Sequence, residues 1–172
     1  MKRHVVLVGL PGSGKTTVGR LVAERLQAGF VDVDAILVRR EGKPINMIFA
    51  EKGEAAFREM ERKEMETALA GAPAVVAPGG GWGAQPGAID EARTRALVIY
   101  LRARPETAAQ RAGPEGTRPL LMGEDPVARM RQLLKEREPL YRNAHAQVDT
   151  DRKTPSEVTI EVVRLAQSSA GW

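Results

Sequence analysis

The sequence predicts an α/β fold in which helices cover a parallel sheet, and two observations support this prediction. Short apolar runs alternate along the chain with longer segments of helical periodicity, a pattern typical of parallel sheets. The first apolar run passes into the first helical segment through a glycine-rich loop at residues 9–16. A length of 172 residues fits one domain, residues 1–172, and an aromatic content of 4% requires a mostly aliphatic core.

The predicted strands are short apolar runs that stop at turn residues or polar segments. The first, HVVLV, ends at Gly9, and the third, AVVA, is followed by Pro78 and three glycines. The predicted strands cover residues 4–8, 30–33, 74–77, 96–101 and 147–149.

The predicted helices are segments in which apolar residues recur every three or four positions. Residues 17–27 place four aliphatic side chains on one face. The last helix has a strong start signal, because Thr154 can cap it, Pro155 suits the first position and Glu157 completes a capping box. The predicted helices cover residues 17–27, 35–40, 45–51, 55–69, 89–95, 105–111, 126–143 and 155–167.

The loop at residues 9–16 reads GLPGSGKT and matches the phosphate-binding pattern G-x-x-x-x-G-K-S/T at each fixed position. Gly12 and Gly14 tolerate positive φ, so the backbone can approach phosphates closely. The loop N–H groups and the positive end of the following helix converge on one anion site. Lys15 can then reach the β- and γ-phosphates, and the Thr16 hydroxyl can ligate Mg²⁺. The chain is therefore predicted to bind a nucleoside triphosphate.

Composition and charge exclude several other classes of protein. The chain has no cysteine, which rules out disulfides, thiolate metal sites and cysteine nucleophiles. Its net charge is +4, but the basic residues are interspersed with acidic ones, so we expect no nucleic-acid partner. The first apolar stretch breaks at Gly9, and no run reaches the roughly 18 apolar residues of a membrane span. We therefore expect a cytoplasmic protein without a membrane partner.

Two carboxylates, Asp32 and Asp34, follow the second predicted strand. They lie at the end of this strand, and β periodicity puts both carboxylates on one side of the chain, about 6–7 Å apart. Ligands of such sheets bind beyond the carboxyl ends of the strands. One carboxylate could hold Mg²⁺ through water while the other accepts a proton from a substrate hydroxyl, although a solvated loop pair is the alternative.

Two arginines are candidates for binding a substrate carboxylate. Arg58 and Glu61 are neighbours on the longest predicted helix, and they form either a surface ion pair or a pair in which Glu61 orients Arg58. Arg137, late in another helix, is a second candidate, with an ordinary surface arginine as the alternative. Phe49 and Phe57 could form the wall of a small acceptor pocket or simply belong to the core.

Three consecutive glycines and one loop arginine complete the candidates. Residues 79–81 follow the third strand, and without side chains their backbone can contact a ligand directly. Residues 112–125, rich in glycine, proline and charge, fit no regular element and predict a mobile lid. Arg118 lies in this lid, where it could neutralise charge on a transferring phosphoryl group as closure excludes water.

Together these residues resemble the shikimate kinases, from about residue 5 to residue 165. The resemblance rests on the phosphate-binding loop, Asp32-x-Asp34, the segment 49–61, the triple glycine, Arg118-Pro-Leu-Leu and Arg137-x-x-x-Tyr141, all in family order. It implies a P-loop kinase fold, with a five-stranded parallel sheet in the order 2-3-1-4-5 flanked by helices and a mobile lid. It also implies transfer of the γ-phosphoryl group of ATP to the 3-hydroxyl of shikimate, in the route to chorismate and aromatic amino acids.

The resemblance assigns roles by position. It implies a substrate-binding segment at about residues 33–61 and a lid at about residues 112–125. Shikimate would contact Asp34, Arg58, Gly80, Gly81 and Arg137. Catalysis would involve Lys15, Asp34 and Arg118, and Mg²⁺ would be held by Thr16 and Asp32. ATP would contact Gly12, Ser13, Gly14, Lys15, Thr16, Thr17, Arg111, Arg118, Arg152 and Pro155.

One residue departs from the family pattern, and other functions remain as alternatives. Trp82 follows the triple glycine where a small residue is expected, and its indole could reshape the acceptor site or pack elsewhere. A kinase of another small hydroxy acid such as gluconate would keep the phosphate-binding loop, but it has less need of two carboxylate-binding arginines. A nucleoside monophosphate kinase or a non-catalytic ATP-binding module is less consistent with these motifs. We expect a monomer.

Overall fold

The computed structural model describes residues 1–112 and 123–172. Its centre is a parallel sheet of five strands: β1 (His4–Val8), β2 (Gly29–Asp32), β3 (Ala74–Ala77), β4 (Ala96–Arg102) and β5 (Ala146–Asp149). The strands lie in the order β2-β3-β1-β4-β5, which confirms the predicted order. Because β1 is central, with Val6 paired to Val76 on one side and to Val98 on the other, the loop that follows β1 lies in the middle of the sheet edge.

Helices cover both faces of this sheet. The helices are α1 (Lys15–Leu26), α2 (Val33–Glu41), α3 (Ile45–Lys52), α4 (Glu54–Ala70), α5 (Ala88–Ala92), α6 (Pro105–Ala112), α7 (Pro126–Tyr141) and α8 (Pro155–Ser169). A short 3₁₀ turn, Trp82–Ala84, follows β3. None of the helices in the described parts of the chain is long and apolar enough to cross a membrane.

The central strand explains why its sequence is uniformly apolar. All five residues of β1 are buried, and successive side chains point to opposite faces. Val5 and Leu7 pack in the core under α1 and α8, whereas Val6 and Val8 pack in the core on the other face. A parallel strand covered on both sides therefore reads as a continuous hydrophobic run rather than an alternating one.

The prediction that Asp32 and Asp34 share one side of an extended strand was wrong. β2 ends at Asp32, and α2 begins at Val33, two residues before its predicted start. The Asp32 side chain caps the helix, because its Oδ1 accepts a hydrogen bond from the Ala35 N–H at 3.2 Å. Val33 is fully buried as the first helical residue. Asp34 therefore lies in the first turn of α2, and the helix directs its carboxylate.

Several other boundaries follow from helix caps. The predicted capping box of α8 is confirmed: Thr154 Oγ1 accepts a hydrogen bond from the Glu157 N–H, and Glu157 Oε1 accepts one from the Thr154 N–H. α5 ends at Ala92, three residues earlier than predicted. Most of the predicted lid, including Arg118, lies outside the described residues.

Candidate active site

The loop between β1 and α1 has the geometry that its glycines predict. Gly12 has φ 79°, and Gly14 has φ 97° and caps α1 in the left-handed conformation. A Cβ on Gly12 would also overlap the Ala108 carbonyl of α6. Gly12 is thus required for two reasons, its backbone conformation and the close packing of α6 against the loop.

Lys15 lies back across this loop. Its Nζ donates hydrogen bonds to the Gly9 and Leu10 carbonyls, each at 2.8 Å, and the residue is 9% exposed. Burial lowers the pKa of Lys15 to about 8, against the opposing influence of the Asp34 carboxylate. The ammonium is therefore a largely desolvated cation, which interacts more strongly with a phosphate than an exposed lysine does.

Thr16 and Asp32 form an oxygen pair beside the loop. The Thr16 hydroxyl donates to Asp32 Oδ2 at 3.1 Å. These oxygens suit Mg²⁺, which prefers hard ligands and is often held by one carboxylate together with substrate phosphates. Residues 1–112 and 123–172 hold no group of three or more His, Cys, Asp or Glu side chains that could bind a metal. The donor set thus fits a metal that is carried by a nucleotide.

Asp34 and Glu61 approach each other over Gly79. A Cβ on Gly79 would lie 2.7 Å from Asp34 Oδ1 and would overlap Glu61 Oε2. Both oxygens are buried and have no hydrogen-bond partner among the described residues. Burial, reinforced by the neighbouring Glu61, raises the pKa of Asp34 to about 7, and burial also raises the pKa of Glu61. Asp34 therefore has the affinity for a proton that a general base at neutral pH requires.

Arg58 forms a buried pair with Glu61, not a surface pair. Its Nη1 lies 2.8 Å from Glu61 Oε1, and the two side chains are 17% and 1% exposed. The guanidinium carbon lies 5.3 and 5.5 Å from the ring centroids of Phe49 and Phe57. Arg58 Nε is buried and has no hydrogen-bond partner within the described chain. The ion pair with Glu61 thus holds the arginine in place and leaves other N–H groups of the guanidinium for a ligand.

Residues 79–81, here called the glycine turn, bring the charged groups together. A Cβ on Gly80 would lie 3.2 Å from Arg137 Nη1, which is buried and unpartnered among the residues described. A Cβ on Gly81 would overlap the guanidinium of Arg58. Each glycine of the turn therefore faces a charged side chain: Gly79 faces the two carboxylates, Gly80 faces Arg137 and Gly81 faces Arg58. This role of the triple glycine was not anticipated from the sequence.

These groups line one cavity of about 620 Å³, here called the acceptor cavity. Pro11 of the phosphate-binding loop forms part of its wall, so the cavity opens directly beside the loop. Its lining includes Pro11, Asp34, Phe49, Phe57, Arg58, Glu61, the glycine turn and Arg137. The structure thus joins the predicted acceptor residues of α2, α4, α7 and the glycine turn in a single pocket.

Sequence reasoning missed one arginine of this cavity. Arg129 lines it from α7, two turns before Arg137, with a side chain that is only 10% exposed. Its Nη1 lies 3.1 Å from Glu124 Oε1. The eight-residue spacing places Arg129 and Arg137 on one helix face, and this periodicity was the available signal.

Trp82 lies away from the acceptor cavity. The indole is 6% exposed and lines a second cavity of about 280 Å³ beside Met65 and Leu69 of α4. Trp82 therefore packs in the core, and its indole is not part of the lining of the acceptor cavity.

The residues expected near adenine follow the carboxyl ends of β4 and β5. Arg111 is exposed at the end of α6, the helix that packs against Gly12. Arg152 has φ 59°, an unusual conformation for a residue with a side chain, and Pro155 begins α8. Ligands of open α/β sheets bind at this edge. Ser13 is buried in the loop, and Thr17 is exposed in the first turn of α1.

Comparison with known proteins agrees with this geometry. The family model described as shikimate kinase matches residues 11–167. A shikimate kinase of Thermobifida fusca is 45% identical, over 96% of this chain and 95% of that protein. A solved structure, the shikimate kinase from Acinetobacter baumannii in complex with shikimate, is 36% identical with a TM-score of 0.89 and covers 98% of this chain and 94% of its own.

A solved structure of lower sequence identity shares only the fold. A gluconokinase from Sinorhizobium meliloti is 20% identical with a TM-score of 0.62, over 99% of this chain and 94% of its own. That likeness shows a common fold and no more. The family match and the near-full-length relatives, by contrast, show that this chain belongs to the shikimate kinase family.

Proposed function

We propose that this chain transfers the γ-phosphoryl group of ATP to the 3-hydroxyl of shikimate, a step in chorismate and aromatic amino-acid biosynthesis, with the residues of the acceptor cavity as its site. One observation carries the assignment of the site. Arg58, Arg137 and Asp34 line this cavity, and each of these side chains has a buried polar atom without a hydrogen-bond partner in the described chain. Such groups are costly unless a ligand satisfies them, and a hydroxy acid supplies both a carboxylate and a hydroxyl.

On the nucleotide side, the phosphates are proposed to bind the loop backbone from Gly12 to Thr17. Lys15 would exchange its two carbonyl partners for phosphate oxygens. Thr16 and Asp32 would hold Mg²⁺, which supplies neutralisation of phosphate charge when it is bound. Arg111, Arg152 and Pro155 would flank adenine, and Arg118 would act at the transferring group as predicted from the sequence.

On the acceptor side, the two arginines would bind the carboxylate of shikimate. Glu61 orients Arg58 through the 2.8 Å ion pair, and the planar guanidinium can then bind a carboxylate with parallel hydrogen bonds. The backbone of Gly80 and Gly81 would lie along the ring of the substrate. The arginines would orient shikimate, because they hold its carboxylate in place while the reacting hydroxyl lies elsewhere on the ring.

Asp34 would accept the proton of the 3-hydroxyl. A base with a pKa of about 7 is partly ionised at neutral pH and still binds a proton well. Phosphoryl transfer needs little covalent help from the protein, so positioning of the two substrates and charge neutralisation by Lys15 contribute most of the rate.

The alternative function is a kinase of gluconate or another hydroxy acid. Membership of the shikimate kinase family favours shikimate as the acceptor. The decisive assay measures ADP release from ATP and Mg²⁺ with shikimate, gluconate or a nucleoside monophosphate supplied separately. We expect stimulation by shikimate alone. A folded protein that binds ATP but does not respond to shikimate would contradict the proposed acceptor.

The site assignment needs a matched pair of variants. Arg58→Met should raise the KM for shikimate about tenfold to hundredfold, because a charge-assisted contact with the carboxylate is lost. Arg62→Met is the control: it lies one turn later on α4, is 60% exposed and pairs only at the surface with Glu59. Equal effects of the two substitutions would argue against a carboxylate contact at Arg58.

A further inference from the structure

The glycine turn is held by hydrogen bonds to its carbonyl groups. The Gly79 carbonyl accepts from the Trp82 N–H at 3.2 Å, and the Gly81 carbonyl accepts from the Ala84 N–H at the same distance. These bonds close the chain on itself over three residues. The Gly80 carbonyl instead accepts from the Tyr141 hydroxyl at 2.5 Å, across 61 residues of sequence. The bond from Tyr141 therefore joins the turn to α7, a separate wall of the acceptor cavity.

Tyr141 is well placed to act as a fixed support. The residue is fully buried, and its ring lies 5.1 Å from the ring of Tyr100 on β4. The Tyr100 hydroxyl donates to Glu138 Oε2 at 2.7 Å, which ties the last turn of α7 to the sheet. Burial raises the pKa of Tyr141 against the opposing charge of nearby Arg137, so the hydroxyl stays protonated and remains a donor at neutral pH.

The same helix face carries Arg137. Tyr141 and Arg137 are four residues apart, so their side chains are neighbours on α7. A Cβ on Gly80 would lie 3.2 Å from Arg137 Nη1, and a Cβ on Gly83 would lie 3.2 Å from the Tyr141 ring. Tyr141 and Arg137 thus both extend from α7 to the glycine turn and the residues that follow it.

We infer that Tyr141 is a positioning residue of the acceptor site, whose hydroxyl holds the Gly80 carbonyl, and with it the glycine turn, at a fixed distance from Arg137. The inference rests on the proposed function, because it concerns how two groups proposed to bind shikimate keep their spacing. Tyr141 is not proposed to contact ATP or the reacting atoms. It acts through the turn and through Arg137.

The kinetic test compares two stacked tyrosines whose hydroxyls donate to different partners. Tyr141→Phe removes the hydroxyl at the turn, and Tyr100→Phe removes the hydroxyl of the stacked partner, which bonds α7 elsewhere. We expect Tyr141→Phe to raise the KM for shikimate about fivefold to thirtyfold, equivalent to about 1–2 kcal/mol, with the KM for ATP changed less than about twofold. Tyr100→Phe should leave both KM values within about twofold of the wild type.

A second measurement is independent of catalysis. Backbone amide exchange across residues 79–84, followed in the protein without substrates, should be faster in Tyr141→Phe than in Tyr100→Phe. Replacing Tyr141 with 4-aminophenylalanine, which keeps an N–H donor, should restore slow exchange and a low KM. Wild-type protein that fails to turn over shikimate would refute the proposed function. The exchange measurement would still show whether the Tyr141 hydroxyl holds the glycine turn in place.

Three results would overturn the inference. They are unchanged exchange in Tyr141→Phe, an equal rise of both KM values, and a loss of folding that the 4-aminophenylalanine variant shares. Each of these would mean that the hydroxyl does not set the spacing of the turn.

Discussion

Replacing Asp34 with asparagine should stabilise the protein while it removes the proposed base. Asp34 pays an electrostatic penalty in the folded state, because burial and Glu61 raise its pKa from 3.8 to about 7. At 1.36 kcal/mol per pH unit this corresponds to about 4 kcal/mol as an upper value. The folded protein binds the proton more tightly than the unfolded chain, so the contribution of Asp34 to stability falls as pH rises from about 4 to about 7. Above about pH 7 the Asp34 carboxylate is ionised, and the full electrostatic penalty lowers the free energy of unfolding.

The free energy of unfolding in urea, measured at two pH values, tests this reasoning. Asp34→Asn should exceed the wild type by up to about 4 kcal/mol at pH 8, and at pH 5 the gain should be less than half of that at pH 8. The uncharged amide also removes the repulsion between this position and the neighbouring Glu61 carboxylate. Asp90→Asn, on the exposed surface of α5, should show no such pH-dependent gain. A gain that is absent at pH 8, or equal at both pH values, would refute the assigned penalty.

Two further predictions concern the loop and the carboxylate pair. Gly12→Ala should abolish ATP binding in a titration, because a Cβ would overlap the backbone of α6. Gly42→Ala is the control, since Gly42 also has a positive φ but lies in open space. This substitution should lower the free energy of unfolding in urea by only about 1 kcal/mol and leave ATP binding intact. Glu61→Gln should lower the pKa of Asp34 and move the acid limb of the kcat/KM profile for shikimate to lower pH, since activity requires the ionised base. Glu54→Gln, which also faces Arg58 but is 72% exposed, should leave that limb in place; a shift of the same size in both variants would contradict the coupling.

Much of the fold could be predicted because the signals are local. The apolar run of β1, the glycine pattern of the loop and the capping box at Thr154 each depend on residues within a few positions of one another. The strand order came from the family resemblance. The error at Asp32 has a local cause as well: an aspartate that ends a strand is also a strong helix cap, and here the cap determined where the chain turned.

The site was harder to predict because its contacts join distant segments. Asp34, Glu61 and Gly79 come from α2, α4 and the end of β3, and no spacing in the sequence shows that they meet. The burial that raises the pKa of Asp34 exists only after these segments have packed. Arg129 was missed for a different reason: its spacing from Arg137 on α7 was an available signal, but the sequence does not show that this part of the helix lines a cavity.

The glycine turn limits how the acceptor preference of this protein can be changed. Because a charged group lies against each of its three glycines, any side chain added there displaces a carboxylate or an arginine before it reaches a ligand. Enlarging or reshaping the pocket for a different hydroxy acid must therefore start from another part of its wall. Ile45 and Ala50 of α3 line the cavity without carrying charge, and at such positions evolution or design can alter the shape of the pocket without displacing the charged groups.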